Sequence, residues 1–397
     1  MNRCFQYKLY PTPEQESLFS DTLETLRHLY NNALAERIDA YKFEQRTLHY
    51  EEQANRLPAL KKIAEPLAAV FSQVLQDCLK RLQKTYESFL RRVREGTAKP
   101  GFPRFKGIGR YRSFTYPQWG VGCSLEGNIL HLSKIGDVPV RLHRPVQGTA
   151  KTCTISRKAD GWYCSLSCEV EPESLECTGI DETCATPALW RDVGIDVGLE
   201  NFATLSDDHD TIPNPRPLQK AQAKLRIAQR RLERRTRRDH HHKITSRQSQ
   251  RRERARVLLA KAHQRVQRAR LDFHHKTARD LVRQFDILYI ESLNIRGMLK
   301  NHPLARAIAD AGWGQFFLVL KQKAESAAKQ VVEVRPRNTS QNCSGCGEYV
   351  PKALSCRTHT CPYCGLILHR DKNASGNIRK VGRDAACSRK RSAIAHA

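Results

Sequence analysis

Apolar residues recur along the chain with two periods, and the places where one period gives way to the other mark its predicted elements. Residues 3–10 alternate as a strand. Thr12-Pro13-Glu14-Gln15 then reads as a helix start, with Thr12 as cap, Pro13 in the first turn and Gln15 at the capping-box position. Leu18, Leu23, Leu26, Tyr30, Ala33 and Leu34 follow at helical spacing. A second helix is expected from about Pro66 to Arg94, its core stripe formed by Leu75, Leu79, Leu82, Tyr86 and Phe89. From Gly96 the texture changes: Pro100, Pro103, Pro117, frequent glycine and short alternating runs at 128–132, 138–142 and 162–170 read as a small antiparallel β domain. Residues 171–187, acidic and poor in large apolar groups, read as a linker.

Beyond the linker, Val193 to Gly198 alternates again, placing Val193, Ile195 and Val197 on one face and Gly194, Asp196 and Gly198 on the other. A second apolar strand, 285–290, ends in Glu291. Between them Leu218, Leu225 and Leu232 repeat by sevens, as do Leu259, Val266 and Phe273, with a polar break at 236–250; the pattern predicts an antiparallel helical hairpin. A helix over 313–329 and a strand over 331–334 follow. Asp371 stands where another helix can begin, and Ala374-Ser375-Gly376 is small enough to let that helix lie close against a sheet. After Lys380 the chain has little to bury and reads as a disordered basic tail.

Composition narrows the function classes. A chain of 397 residues accommodates two or three domains, and no apolar run approaches the ~20 residues of a membrane span. The first residues, MNRCFQYKLYP, lack the apolar stretch of a signal peptide, so a cytosolic protein with reduced cysteines is expected. The formal charge is +27, and residues 220–280 alone hold 21 Lys and Arg against 5 Asp and Glu. Nucleic acid is the partner such a surface implies, and a membrane role is disfavoured because that segment has no Trp/Phe/Leu face. The hairpin arginines Arg230, Arg231, Arg234 and Arg235, the helical Gln76 and Lys80, and Arg104, Lys106, Arg110 and Arg112, interleaved with aromatics between 102 and 114, are the nucleic-acid candidates.

Two clusters carry chemistry. Cys343/Cys346 and Cys361/Cys364 are CxxC pairs fourteen residues apart, set among Gly345, Gly347, Pro362 and Gly365, as a four-thiolate structural zinc ribbon requires. Two redox dithiols are the alternative, but a redox pair occurs singly on a βαβ unit; Cys356 has no CxxC partner and is left out. The second cluster is Asp196, Glu291 and Asp371, on strand, strand end and helix start. Alone, Asp371 reads as an N-cap; with the other two it completes an acidic set suited to Mg²⁺.

The order of the three acids, with a zinc ribbon before the third, resembles the nuclease domain of the transposon-encoded TnpB proteins, compact relatives of type V CRISPR effectors. The resemblance runs from Tyr7-Lys8-Leu9-Tyr10-Pro11 through Gly101-Phe102-Pro103-Arg104-Phe105 to Asn377-Ile378. It implies a multidomain α+β fold: a RuvC/ribonuclease H-like α/β nuclease domain with an inserted zinc ribbon, a helical recognition domain and a small β-barrel wedge domain. On this chain the wedge takes residues 1–10 and 96–190 with the linker, the recognition helices 11–95, the nuclease domain 191–338 with the hairpin 217–280, the ribbon 339–368, the end of the nuclease domain 369–380 and the tail 381–397. The resemblance also implies a prokaryotic, nucleoid-associated DNA endonuclease, monomeric in a ribonucleoprotein, with a guide RNA from the transposon end, target double-stranded DNA, catalytic Mg²⁺ on Asp196, Glu291 and Asp371, and Zn²⁺ on the four cysteines. His369 stands where the family often has an acid. Two rivals remain: a ribonuclease H-like transposase, whose acids usually run Asp, Asp, Glu, and a cleavage-dead RNA-guided repressor, whose relatives lose carboxylates that this chain keeps.

Overall fold

The computed structural model describes residues 2–96, 100–170, 190–207, 211–238, 244, 249–353 and 356–394, with side chains in the last helix followed to residue 385. The predicted linker at 171–187 and most of the predicted hairpin tip lie outside the described residues. The chain divides into two compact units, Met1–Glu171 and Pro172–Ala397.

The first unit opens with β1 (Asn2–Leu9) and the long α1 (Pro13–Glu44). The predicted capping box is present: Gln15 N–H donates to Thr12 Oγ1 over 3.3 Å and Thr12 N–H to Gln15 Oε1 over 3.0 Å. Leu23, Leu26, Tyr30, Ala33 and Leu34 are buried, whereas Leu18, one position off that stripe, is exposed. Three short helices follow, α2 (Tyr50–Asn55), α3 (Leu57–Ile63) and α4 (Glu65–Ala68), before α5 (Ser72–Arg94). The second predicted helix therefore starts at Ser72 rather than Pro66, because Phe71 is extended (φ −61°, ψ 133°) and interrupts the helical path. The sheet adds β2 (Ser113–Tyr116), β3 (Cys123–Glu126), β4 (Ile129–Leu132), β5 (Gly136–Arg141), β6 (Thr149–Lys158) and β7 (Gly161–Glu169) in the antiparallel order β2-β6-β7-β1-β5-β4-β3. Helices and sheet share one core, in which Phe19 of α1 packs on Phe114 and Trp162 of the sheet. The boundary read at residue 95 is thus a change of element type within a single core.

The second unit is built on β8 (Asp192–Val197), β9 (Asn201–Leu205), β10 (Ile212–Pro213), β11 (Ile287–Glu291) and β12 (Gln330–Val334) in the order β10-β9-β8-β11-β12, with β8, β11 and β12 parallel. Its helices are α6 (Pro217–Glu233), α7 (Gln250–Gln284), α8 (Ile295–Met298), α9 (His302–Ala311), α10 (Trp313–Ser326) and α11 (Arg370–Ile394), and a small ribbon holds β13 (Thr358–Thr360) and β14 (Ile367–His369). The expected hairpin is α6 with α7, and Leu225 and Val266 of its two heptad rows are buried. Its root is fixed by buried Asp310 of α9, which accepts the Leu218 and Gln219 N–H groups at the start of α6 and pairs with Arg270 of α7 at 3.1 Å.

Strand alternation gives the five-stranded sheet two different faces. Val193, Ile195, Leu288 and Ile290 enter a core with Leu281, Phe316 and Leu320 from α7 and α10. On the opposite face α11 lies nearly against the backbone: a Cβ on Gly194 would fall 2.1 Å from the Ser375 carbonyl oxygen, and one on Gly382 2.1 Å from the Tyr289 ring. Asp192, 6 % exposed, accepts Arg379 Nη2 and Arg383 Nη2, each at 2.6 Å. These contacts account for a departure from expectation. The helix does not end at Lys380 but continues through Ile394, since Gly382 and Arg383 have a ring and a carboxylate to pack against.

Candidate active site and metal centre

The α11 face of the sheet gathers the three acids. Asp196 shares the parity of Gly194, and Glu291 that of Tyr289, so both look toward α11, one step beyond the Ile195–Ile290 register pair. Asp371 is the second residue of α11. Its Oδ2 would lie 3.9 Å from a Cβ on Gly198, the residue after β8, which locates the carboxylate near the end of that strand. Burial pushes the Asp196 carboxyl well above the usual carboxylate range, and the neighbouring Glu291 and Asp371 charges push it further. Glu291 is raised by burial, an effect reduced by the hydrogen bond it accepts from the Thr339 hydroxyl. His369 Nδ1 accepts the Asp371 N–H over 3.3 Å and stands 3.9 Å from its Oδ2.

The other cluster is tighter. The four sulfurs of Cys343, Cys346, Cys361 and Cys364 lie within 4.8 Å of one another, the sole such group of three or more potential ligands among the described residues. Cys343–Cys364 and Cys346–Cys361 are 3.6 and 3.5 Å apart. Thiolates bound at about 2.3 Å around a tetrahedral ion are separated by similar distances, so the quartet fits zinc. Each knuckle closes through a glycine in the left-handed region, Gly347 (φ 87°) and Gly365 (φ 73°), donating to the carbonyls of Cys343 and Cys361. Burial disfavours the Cys361 thiolate, but the N–H groups of Cys364 and Tyr363 outweigh it and bring the thiol down to about 7. Cys356 donates instead to the Thr358 carbonyl, outside the quartet.

The two clusters are connected by residues that the sequence reading did not single out. Asn373 of α11 accepts the Ser344 N–H at 2.8 Å and donates to the Asn342 carbonyl at 2.7 Å. Asn377 donates to the carbonyls of Asn342 and Thr339 at 2.7 and 2.8 Å. The signal available in the sequence was two amides one helical turn apart beside Ala374 and Ile378, and the structure buries all four.

The predicted nucleic-acid residues are dispersed. Gln76, Lys80, Arg104, Arg110, Arg112, Arg230, Arg231 and Arg234 are exposed, and Lys106 and Arg235 half-buried. Lys106 sits 5.3 Å over the Tyr30 ring and Lys80 5.5 Å over Tyr50. Among the interleaved aromatics, Phe102 and Phe105 are exposed, but Phe114 is core and Tyr111 packs on Tyr30; the interleaving is therefore partly a packing pattern. No helix among the described residues is long and apolar enough to cross a membrane.

Comparison with known proteins adds three family matches: "Probable transposase" over residues 165–302, "Cas12f1-like, TNB domain" over 313–378 and "Helix-turn-helix domain" over 1–46. The last spans residues that here form one strand and one long helix. A "Putative RNA-guided DNA endonuclease" of Streptomyces pristinaespiralis is 32 % identical over 96 % of this chain and 90 % of its own length. The Escherichia coli "Putative RNA-guided DNA endonuclease InsQ" is 29 % identical over 96 % of this chain and 92 % of its own. A solved Cas12f1–sgRNA–target DNA complex aligns over 96 % of this chain and 99 % of that one, at 13 % identity and a TM-score of 0.34, too low to assign a fold.

Proposed function

The chain belongs to the TnpB family of transposon-encoded RNA-guided DNA endonucleases, and from that premise we propose that it cuts target DNA at Asp196, Glu291 and Asp371, in a RuvC-like domain formed by the second unit. The observation that supports this reading is the convergence of three acids, far apart in sequence, on the α11 face, where burial first, and then the charges of the other two, make Asp196 hold its proton more readily. Such strain is what a divalent cation relieves. The donors are hard oxygens, more widely spread than the thiolate quartet, as suits Mg²⁺ ions that keep part of their water. Bound there, a pair of Mg²⁺ ions supplies charge neutralisation at the attacking and leaving oxygens of a phosphodiester.

The residues of the chain do the rest. Asp196, whose carboxyl feels the charges of both the others, would be the shared ligand of the cations, and Glu291 and Asp371 would each supply a further carboxylate. The strand ends and α11 keep the three carboxylates in fixed relation, and the packed face around Gly194 and Ser375 limits water behind them. The zinc quartet is closed by four cysteines and serves structure. The basic hairpin and Arg104, Lys106, Arg110, Arg112, Gln76 and Lys80 hold phosphate. Sequence is read by a guide RNA from the transposon end, and the protein reads a short motif beside the target.

Reconstitution tests this reading: RNA-free protein, Mg²⁺ and target DNA, with guide RNA present, absent or scrambled. Cleavage only with the matching guide, abolished by EDTA, is the expected outcome. Equal cleavage in all three mixtures would return the chain to the transposase class, and guided binding without cleavage would make it a repressor.

A further inference from the structure

The ribbon does more than precede the third acid, because its root reaches into the carboxylate cluster. Thr339, four residues before Cys343, is 4 % exposed, and its hydroxyl donates to Oε1 of Glu291, itself 9 % exposed. The same residue offers its carbonyl to Asn377 of α11, the helix that begins with Asp371. Asn338, in the left-handed region at φ 60°, turns the chain here, and its carbonyl receives the N–H groups of Gln341 and Asn342. Asn342 in turn accepts from both Asn373 and Asn377. Thr339 is thus held on its backbone side by α11 and on its side-chain side by Glu291.

Glutamate has one more rotatable bond than aspartate, and Glu291 ends a strand, where its own backbone does not fix the carboxylate. A hydroxyl donor on one oxygen fixes the rotamer and leaves the second oxygen to face a cation. We propose that Thr339 is a positioning residue for Glu291, and that through it the zinc ribbon sets the orientation of a carboxylate in the cleavage site. This rests on the assignment of Glu291 under the proposed function.

The experiment uses the full chain with its guide RNA and compares wild type, Thr339→Val, Thr339→Ser and Glu291→Gln. Valine keeps the branched shape and removes the donor; serine keeps the donor. Four quantities are read: Mn²⁺ affinity by electron paramagnetic resonance, the single-turnover cleavage rate, zinc per chain, and target-DNA affinity. Thr339→Val is expected to weaken Mn²⁺ binding and slow cleavage by about 10–100-fold, the usual range for loss of an outer-shell partner, with zinc content and DNA affinity retained, and Thr339→Ser to recover most of both. Unchanged Mn²⁺ affinity and rate in Thr339→Val overturn the proposal. So does a Thr339→Ser protein as impaired as the valine variant, or parallel loss of zinc or DNA binding, since either would mean packing rather than positioning. Glu291→Gln separates the two levels. If it keeps wild-type Mn²⁺ affinity and cleavage, the site assignment itself fails; if it loses both while Thr339→Val keeps both, only the role of Thr339 falls.

Discussion

The cysteine quartet and the carboxylate cluster share one unit and both lean on α11, yet they are assembled in opposite ways. The four sulfurs come from 22 consecutive residues, and two glycine turns suffice to point them at one another. The three carboxylates span residues 196 to 371 and meet only because β8 and β11 are paired and α11 lies across them. In the ribbon, burial opposes the Cys361 thiolate but backbone N–H groups offset it and lower that thiol, while at Cys346 the Glu348 N–H is outweighed by burial and the neighbouring sulfurs, which push the thiol up. At the acids, burial and mutual repulsion oppose the anionic form of Asp196. The first is a fold that a metal would complete; the second is a set of carboxylates that the fold holds together against its own charge.

Removing one member from each cluster should therefore have opposite structural consequences. The largest effect is expected at the ribbon, where structural zinc contributes on the order of 10 kcal/mol of apparent binding energy to local folding. Cys361→Ser should eliminate the bound zinc, expose residues 343–364 to proteolysis and, through Asn373, Asn377 and Thr339, lower cleavage as well. Elemental analysis and limited proteolysis check this; a zinc-free protein with an intact ribbon would dissolve the contrast. Next comes Asp196→Ala, which should abolish detectable cleavage while leaving guided DNA binding within about 3-fold, because phosphate is held elsewhere on basic surface. A binding gel run beside a cleavage assay decides it.

A third effect, smaller and purely structural, lies at Asp192. Burial alone would raise its carboxyl, but hydrogen bonds from Arg383 and Arg379 outweigh that and hold it below the usual range. Asp192→Asn should cost about 1.5–3 kcal/mol, toward the lower figure because Arg383 is half exposed and screened. Since the folded-state pKa is depressed, the advantage of wild type over the variant is complete above the unfolded value near ~3.9 and disappears as pH falls through the lower folded value. Denaturant melts of both proteins from pH 7 to pH 3 would show the gap closing.

How much of this was legible in sequence follows the same division. The ribbon, the capping box at Thr12 and the heptad hairpin were readable because each depends on residues close in sequence. The carboxylates were visible as strand and helix termini and could be grouped as one acidic set, to which the family resemblance gave a role; the spacing alone did not show that Asp196 faces α11. What escaped were features set by tertiary neighbours: the core joining α1 to the sheet, the break at Phe71, the Asp310 lock, the continuation of α11 beyond Lys380, and Thr339. A threonine before a CxxC pair has no sequence mark of its partner 48 residues earlier.

The smallest expected effect most directly separates the two clusters. Asp196 has a folded-state pKa above its unfolded value, so the folded chain holds that proton more tightly than the unfolded chain does. As pH rises through the unfolded value toward the folded one, metal-free wild type loses stability, by about 1.4 kcal/mol for each pH unit traversed, and above the folded pKa the cost stays constant. Asp196→Asn removes this cost while preserving shape and burial. In Mg²⁺-free buffer at pH 7.5, without chelator so that zinc stays in the ribbon, the variant should melt at a higher temperature than wild type. At pH 4 the two should converge. Adding Mg²⁺ should then raise the melting temperature of wild type and not that of the variant, reversing their order. A variant less stable than wild type in Mg²⁺-free buffer at neutral pH would show that Asp196 is held by favourable contacts like those at Asp192, and the description of the acids as strained would have to be given up.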